Sequence, residues 1–302
     1  MNIFTEKFFE HNKKKIAEDI SNQGFCFIKN AINENFIKDI MNDVEKNRFF
    51  INRNWISGVY LNTQYYLTNI MGCSKSFYEL VTDGNVIEIC DNFMSKKNFR
   101  LKAARYYETF PNHNMHWHTD NKIGKIFQDI DGLIFIIYLT DVEDGEFQYI
   151  KKSHKFSVEN KINNFTDREI EQKYHNDIIS FKGKKGSIVI YNTKGIHRAK
   201  KIKANSKFIR KSLFFQIDSN FESAEPMLID TSFVKTRDQK ILNYLGLGHP
   251  APNKIYPNSS ILTLPAKKLI NFLLLKFLLK KILEKLINLI PAKIKKIVKS
   301  KL

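Results

Sequence analysis

Cysteine is scarce in this chain: Cys26, Cys73 and Cys90 are the three in 302 residues. Their odd number and the lack of any C-x-x-C spacing argue against a disulfide framework and against a cysteine-based zinc site. The start, Met1-Asn2-Ile3-Phe4-Thr5-Glu6-Lys7, lacks the apolar stretch of a secretory leader. Together these absences point to a reducing, cytosolic setting. No internal repeat is present. No apolar run reaches the ~20 residues that span a bilayer, because lysines interrupt the leucine-rich C-terminal stretch. Arginine–aromatic stripes and a helix-turn-helix pattern are also missing, so the net charge of +18 is read as a lysine bias and nucleic-acid binding is not expected.

What is present is ample for a core. Hydrophobic residues make up 43% of the chain and aromatics 13%, enough for one large β-rich domain with appendages. The charge is unevenly spread. From Leu264 onward there are eleven lysines and one glutamate, a balance of 11 − 1 = +10, which leaves 18 − 10 = +8 for the rest.

The chemistry concentrates in His118-Thr119-Asp120. In extended backbone, residues two apart project to the same side, so the imidazole and the carboxylate can bind one metal ion. A third ligand is offered by His197, which follows the apolar stretch Gly186-Ser187-Ile188-Val189-Ile190-Tyr191 and the turn Gly195-Ile196. This region reads as two strands and a tight connection. Two imidazoles and one carboxylate leave the opposite coordination positions open, the arrangement of non-haem Fe(II) oxygenases.

Other readings of these residues stand beside it. A His-x-Asp triplet also arises as a surface hydrogen-bonded pair, and the same ligand set describes hydrolytic zinc, although no glutamate general base on a zinc-binding helix is nearby. His116 shares the strand face of His118, but no glutamate follows to make a His-x-His site. It is read as an outer partner or substrate-facing residue, and His113 as a loop residue.

Arg210 and Ser212 lie on the apolar strand that runs through Leu213-Phe214-Phe215. A guanidinium fork with a hydroxyl two residues away suits a carboxylate; the plainer reading is a basic strand end beside Lys207 and Lys211. Joined to the triad, the pair implies 2-oxoglutarate, anchored by its distal carboxylate.

The pattern resembles the phytanoyl-CoA dioxygenase-like branch of the Fe(II)/2-oxoglutarate oxygenases. The matching pieces are Gly24-Phe25-Cys26-Phe27-Ile28-Lys29-Asn30, then His118-Thr119-Asp120, then Asp141 to Ile150 running into Ser153-His154-Lys155, and finally Gly186 to Tyr191 before His197 and the Arg210 strand. The resemblance covers roughly residues 15 to 220. It implies a double-stranded β-helix, or jelly roll, with iron near one open end and O₂ and 2-oxoglutarate as cosubstrates. It also implies a hydroxylase rather than a halogenase, since the carboxylate ligand Asp120 is present. One departure is Lys151-Lys152, where relatives usually carry Pro-Gly before Ser-His; that turn is expected to be reshaped. A non-catalytic jelly-roll binding protein and a nucleic-acid-directed oxygenase are the alternatives.

The expected organisation is mainly β with flanking α. Helices are expected from Glu6 to Asn22, Glu34 to Asn47 and Asp83-Gly84 to Met94, and a strand from Phe99 to Glu108 in which Tyr106 and Tyr107 would face the cosubstrate, the plainer reading being that they are barrel core. Asp131 to Thr140 reads as a strand buried on both sides, Asp144-Gly145 as a hairpin, and Lys151 to Phe181 as a substrate-covering loop. Asp238 to Leu245 reads as a short capped helix before a linker with Pro250, Pro252 and Pro257. The division expected is 1–262, the oxygenase domain, and 263–302, a basic amphipathic helical tail.

In that tail Leu278, Leu279, Ile282, Leu283, Leu286, Ile287, Leu289 and Ile290 share one side of a helix, opposite Lys280, Lys281, Glu284, Lys285 and Asn288. It reads as an anchor on the anionic inner membrane face, with a small or lipid-linked substrate; the alternative is a helix docked on the barrel or on a second subunit.

Overall fold

The computed structural model describes residues 2–48, 51–52, 55–56, 58–61, 63–68, 70–95, 97–123, 126–162, 165–219, 229–247, 275–283 and 285–286. In chain order its strands are β1 (Phe25–Ile28), β2 (Ile51–Asn52), β3 (Trp55–Ile56), β4 (Gly58–Leu61), β5 (Gln64–Leu67), β6 (Arg100–Thr109), β7 (Lys122–Ile123), β8 (Ile126–Phe127), β9 (Gly132–Tyr138), β10 (Val142–Ile150), β11 (Ile178–Gly183), β12 (Ile188–Asn192), β13 (His197–Ala199) and β14 (Arg210–Asp218). Seven form one antiparallel sheet in the order β1-β12-β9-β14-β6-β5-β4, and β11-β10-β13 form a second. The two sheets face each other as a jelly roll.

Strand alternation sorts the core into two layers. Leu133, Phe135 and Ile137 of β9, with Leu213, Phe215 and Ile217 of β14, join the helices in the outer cluster, whereas Ile134 and Tyr138 point inward to Phe147, Tyr149 and Phe181 of the small sheet. The expected double burial of Asp131 to Thr140 is therefore seen in β9. Tyr138 donates its hydroxyl proton across the gap to the Phe181 carbonyl at 2.8 Å, tying the sheets together.

The helices on the outer face begin where polar side chains can cap them. Asn33 accepts from Asn35 N–H at 3.0 Å ahead of Glu34–Lys46, and Asp83 from Asn85 N–H at 2.8 Å ahead of Gly84–Met94. The helix expected from Glu6 to Asn22 is broken into Glu6–Phe9 and Lys13–Gln23. Asn12 causes the break: its side chain caps Lys14 N–H at 2.8 Å, so the second helix starts afresh. Gln239–Tyr244, capped by Asp238, matches the short helix read there. The Pro250–Pro257 linker, the 262/263 division and most of the tail lie outside the described residues, although 275–283 and 285–286 are helical.

Asp144-Gly145 is not a hairpin. It lies inside β10 at a register shift between Val142 and Phe147, a bulge with Gly145 at φ +67°. A side chain there would collide with Ile202.

Candidate functional site

His118 and Asp120 are carried by an extended loop rather than a strand. Two bridges hold it, Trp117 to Phe165 and His118 to His197: His118 N–H donates to the His197 carbonyl at 3.0 Å and His197 N–H donates back at 2.9 Å, while Asp120 N–H reaches the Thr193 carbonyl at 3.3 Å. The loop is thereby pinned to β13, and 77 residues of sequence separation close to direct contact.

His118, Asp120 and His197 each offer a ligand atom, and these atoms lie within 4.8 Å of one another. Asp120 Oδ2 is 3.3 Å from His197 Nε2, and Oδ1 is 3.8 Å from His118 Nε2. Both imidazoles are fixed in the same way. His118 Nδ1 is 2.8 Å from the His116 carbonyl and His197 Nδ1 is 3.0 Å from the Gly195 carbonyl. A carbonyl only accepts, so each Nδ1 carries the proton and each Nε2 turns a lone pair toward Asp120, the tautomer a metal requires. His116 is an outer partner through its backbone; its side chain is exposed. Gly195 makes its approach possible because any side chain there would overlap the Tyr149 ring.

The three groups differ in burial. The His197 side chain is 3% exposed, Asp120 23% and His118 36%, so the site has a closed floor and an open side. Burial pushes the His197 imidazole down to about 4, against the opposing pull of Asp120, and so keeps it neutral. In the sequence Tyr191 is simply the last residue of an apolar strand. Its hydroxyl lies 3.3 Å from both Asp120 Oδ2 and His197 Nε2. Burial raises the phenol well above its ordinary value, so it stays protonated and donates to Asp120. The inward alternation of β12 could have flagged it.

Arg210 sits at the start of β14, 7% exposed, opposite Thr109. It donates to the Gly145 carbonyl freed by the bulge and to Thr109 Oγ1 at 3.2 Å. Among the described residues no carboxylate lies within ion-pair distance of it, an unusual state for a buried guanidinium; burial pulls it down from its ordinary value. Ser212 follows on the same face, opposite Tyr107 and Tyr138. Along β10, Tyr149 is the register partner of His197 and Gly145 holds Arg210, a strand separation of about 13 Å at ~3.4 Å per residue. The imidazole and the guanidinium thus meet β10 at two points four residues apart. His113, read as a loop residue, is half-buried: Thr63 lies 3.0 Å from its Nδ1, and burial together with Arg210 holds it below its ordinary value.

Of the two tyrosines expected to face the cosubstrate, one lies on the inner face of the barrel. Tyr107 points into the barrel, its ring centroid 5.9 Å from Phe214, whereas Tyr106 points to the helix layer and donates to Glu108 at 2.7 Å. Adjacent strand residues cannot share a face.

The stretch from Lys151 to Phe181 contains short helices and packs beside the loop that carries His118. Asp167–Tyr174 is a helix with a Thr166–Glu169 capping box, and its Ile170 packs with Ile150, Ile196 and Trp117. Arg198 stacks 4.5 Å over the Trp117 ring while its Nη1 meets Asp167 at 2.6 Å. This packing clamps the residue before His118. The Lys151-Lys152 turn keeps the glycine-like shape, with Lys152 at φ +63° and its N–H bonded to the Gln23 carbonyl at 2.8 Å.

Comparison with known proteins follows the same lines. The description of the family Phytanoyl-CoA dioxygenase (PhyH) matches residues 20–212. Among solved structures, the non-haem alpha-ketoglutarate-dependent carbocyclase SnoK from nogalamycin biosynthesis superposes with a TM-score of 0.52 at 17% identity, over 69% of this chain and 85% of that one. HygX from Streptomyces hygroscopicus, bound to nickel, 2-oxoglutarate and hygromycin B, gives 0.52 at 14% identity over 74% and 94%. The epimerase SnoN from nogalamycin biosynthesis gives 0.50 at 11% identity over 68% and 82%. These likenesses establish the shared fold. A search among curated proteins finds no match.

Proposed function

Since the chain belongs to the phytanoyl-CoA dioxygenase family, we propose that it is an Fe(II)- and 2-oxoglutarate-dependent dioxygenase that hydroxylates an unactivated C–H bond of a small or lipid-linked substrate. The observation that carries this reading is the convergence of His118, Asp120 and His197 with both Nδ1 atoms already committed to carbonyls. That donor set fits a divalent iron with an open face. The buried Arg210, with no carboxylate among the described residues at ion-pair distance, supports an anionic cosubstrate beside it.

His118 and His197 would hold the metal through Nε2 and Asp120 through its carboxylate. Tyr191, protonated and bonded to Asp120, steadies that carboxylate and places a hydrogen-bond donor beside the site. Arg210 and Ser212 would grip the distal carboxylate of 2-oxoglutarate, a charge-assisted contact in a site screened from water. Bound there, Fe(II) supplies the oxidising chemistry with O₂: 2-oxoglutarate is split to succinate and CO₂, one oxygen atom going to succinate and the other to the substrate. Phe147, 5.4 Å from His197 between ring centroids, and Tyr149 wall off the His197 side, so exposure is confined to the face of His118 and Asp120.

The test is succinate release from 2-oxoglutarate under air, with and without Fe(II). Iron- and O₂-dependent succinate supports the proposal; its absence at saturating 2-oxoglutarate leaves a binding protein on an oxygenase scaffold. SnoK is a carbocyclase and SnoN an epimerase on this fold. Mass spectrometry of treated cell extract therefore decides the outcome: products gaining one oxygen support hydroxylation, and products losing two hydrogens point to ring closure or desaturation.

A further inference from the structure

The helical residues 275–283 and 285–286 carry a row of apolar side chains that the fold leaves uncovered. Leu275, Leu278, Leu279, Ile282, Leu283 and Leu286 are each between 49% and 58% exposed. Docking of this face on the barrel, one of the two alternatives raised by the sequence, is therefore not what the structure shows. At about 100° per residue these six side chains fill an arc of roughly 140°. Lys276 and Lys280 flank one edge of the arc and Lys281 and Lys285 the other. Lysines at both margins of an apolar face can lay their methylenes along it while their ammonium groups reach sideways and up.

We propose that residues 275–283 and 285–286 form a docking surface for an anionic lipid leaflet, with the helix lying flat and its leucines below the headgroups. Lysines interrupt the tail well short of the ~20 apolar residues a membrane span needs, and no described helix is long and apolar enough to span a membrane. Charge selects the partner. The region from Leu264 onward carries +10 and the remainder +8, so a second copy seated on the leucine face would bring two strongly cationic tails together. An anionic leaflet satisfies both the apolar arc and its lysine margins. The inference stands apart from the iron chemistry, since it uses none of the residues placed at the metal site.

Full-length protein is floated with vesicles of phosphatidylcholine alone and of phosphatidylcholine mixed with phosphatidylserine, at low and high salt. Binding is expected to the mixed vesicles, to weaken with salt as screening shortens the reach of the charges, and to be slight on phosphatidylcholine alone. Leu279→Glu with Ile282→Glu should abolish it. Lys280→Glu with Lys281→Glu should weaken it by at least 25-fold, taking about fivefold per basic residue near such a surface. Because all four side chains project from an uncovered stretch of helix, succinate release and melting temperature should not move. Protein that stays in solution at low salt overturns the proposal, as does binding indifferent to both double variants. A doubled mass in light scattering that Leu279→Glu with Ile282→Glu restores to monomer also overturns it, by assigning the leucine face to a second copy.

Discussion

Phe215 in the large sheet and His197 in the small one are both buried, but they are buried by different means. Around Phe215 the covering is continuous: Phe135 stacks on it at 4.6 Å, Phe77 meets it edge-on at 6.2 Å, and the helices close over the layer. Around His197 the rings of Phe147, Tyr149 and Tyr191 close one side, and directed contacts fix the rest: the bridge to His118, the Gly195 carbonyl, the Tyr191 hydroxyl and the Trp117–Arg198–Asp167 stack. The large sheet works by packed area and tolerates no gap. The small sheet works by directed contacts, which hold atoms in place while leaving one side of the metal site open.

Substitutions can break this comparison. The largest effect is expected at the site: Asp120→Ala should reduce succinate formation to background while the melting temperature stays near that of the parent, because the carboxylate faces an open site and no packed layer. A large drop in melting temperature would instead assign Asp120 to the frame. Phe215→Ala should do the reverse, costing about 3–5 kcal/mol of stability, read from denaturant midpoints, with the 2-oxoglutarate requirement of the surviving folded fraction unchanged.

Arg210→Ala tests the border between the two regions. Loss of a charge-assisted hydrogen bond is worth about 1.5–3 kcal/mol, so the 2-oxoglutarate concentration for half-maximal turnover should rise by about 10- to 150-fold with the iron requirement little changed. Arg210→Lys should recover only part, since the planar fork is lost. An unchanged 2-oxoglutarate requirement would move the anchor elsewhere, with Lys211 next in line. The smallest effect is expected at Lys152, held left-handed at φ +63°. Relief of that strain, set against the added freedom of the unfolded chain, should make Lys152→Gly more stable by about 0.5–1 kcal/mol, visible as a small rise in melting temperature.

Much of the frame could be read from the chain because alternation is local. The two-sided burial of Gly132–Tyr138 and the caps at Asn33, Asp83 and Asp238 each depend on residues a few positions apart. The spacing of His118 and Asp120 was likewise local, and His197 stood out by its turn. What escaped was settled by distant partners. Asp144-Gly145 has turn chemistry, but Ile202 and Arg210 fix it as a bulge. Tyr191 ends an apolar strand with nothing local to mark it, and only the loop carrying Asp120, closing over it, gives its hydroxyl a partner at the site. The Lys151–Phe181 stretch was polar enough to suggest a cover over the substrate. Ile170 and Asp167 reveal its grip on Trp117, a contact between residues about fifty apart in sequence.

The most direct test of the metal assignment is iron stoichiometry by anaerobic equilibrium dialysis, compared between the parent protein and His118→Ala, Asp120→Ala and His197→Ala. The parent should retain a single Fe(II) per chain, and each variant, left with two ligands and an open coordination sphere, should lose most of it while melting close to the parent. Full iron stoichiometry in all three folded variants would contradict the assignment of His118, Asp120 and His197 as the metal centre.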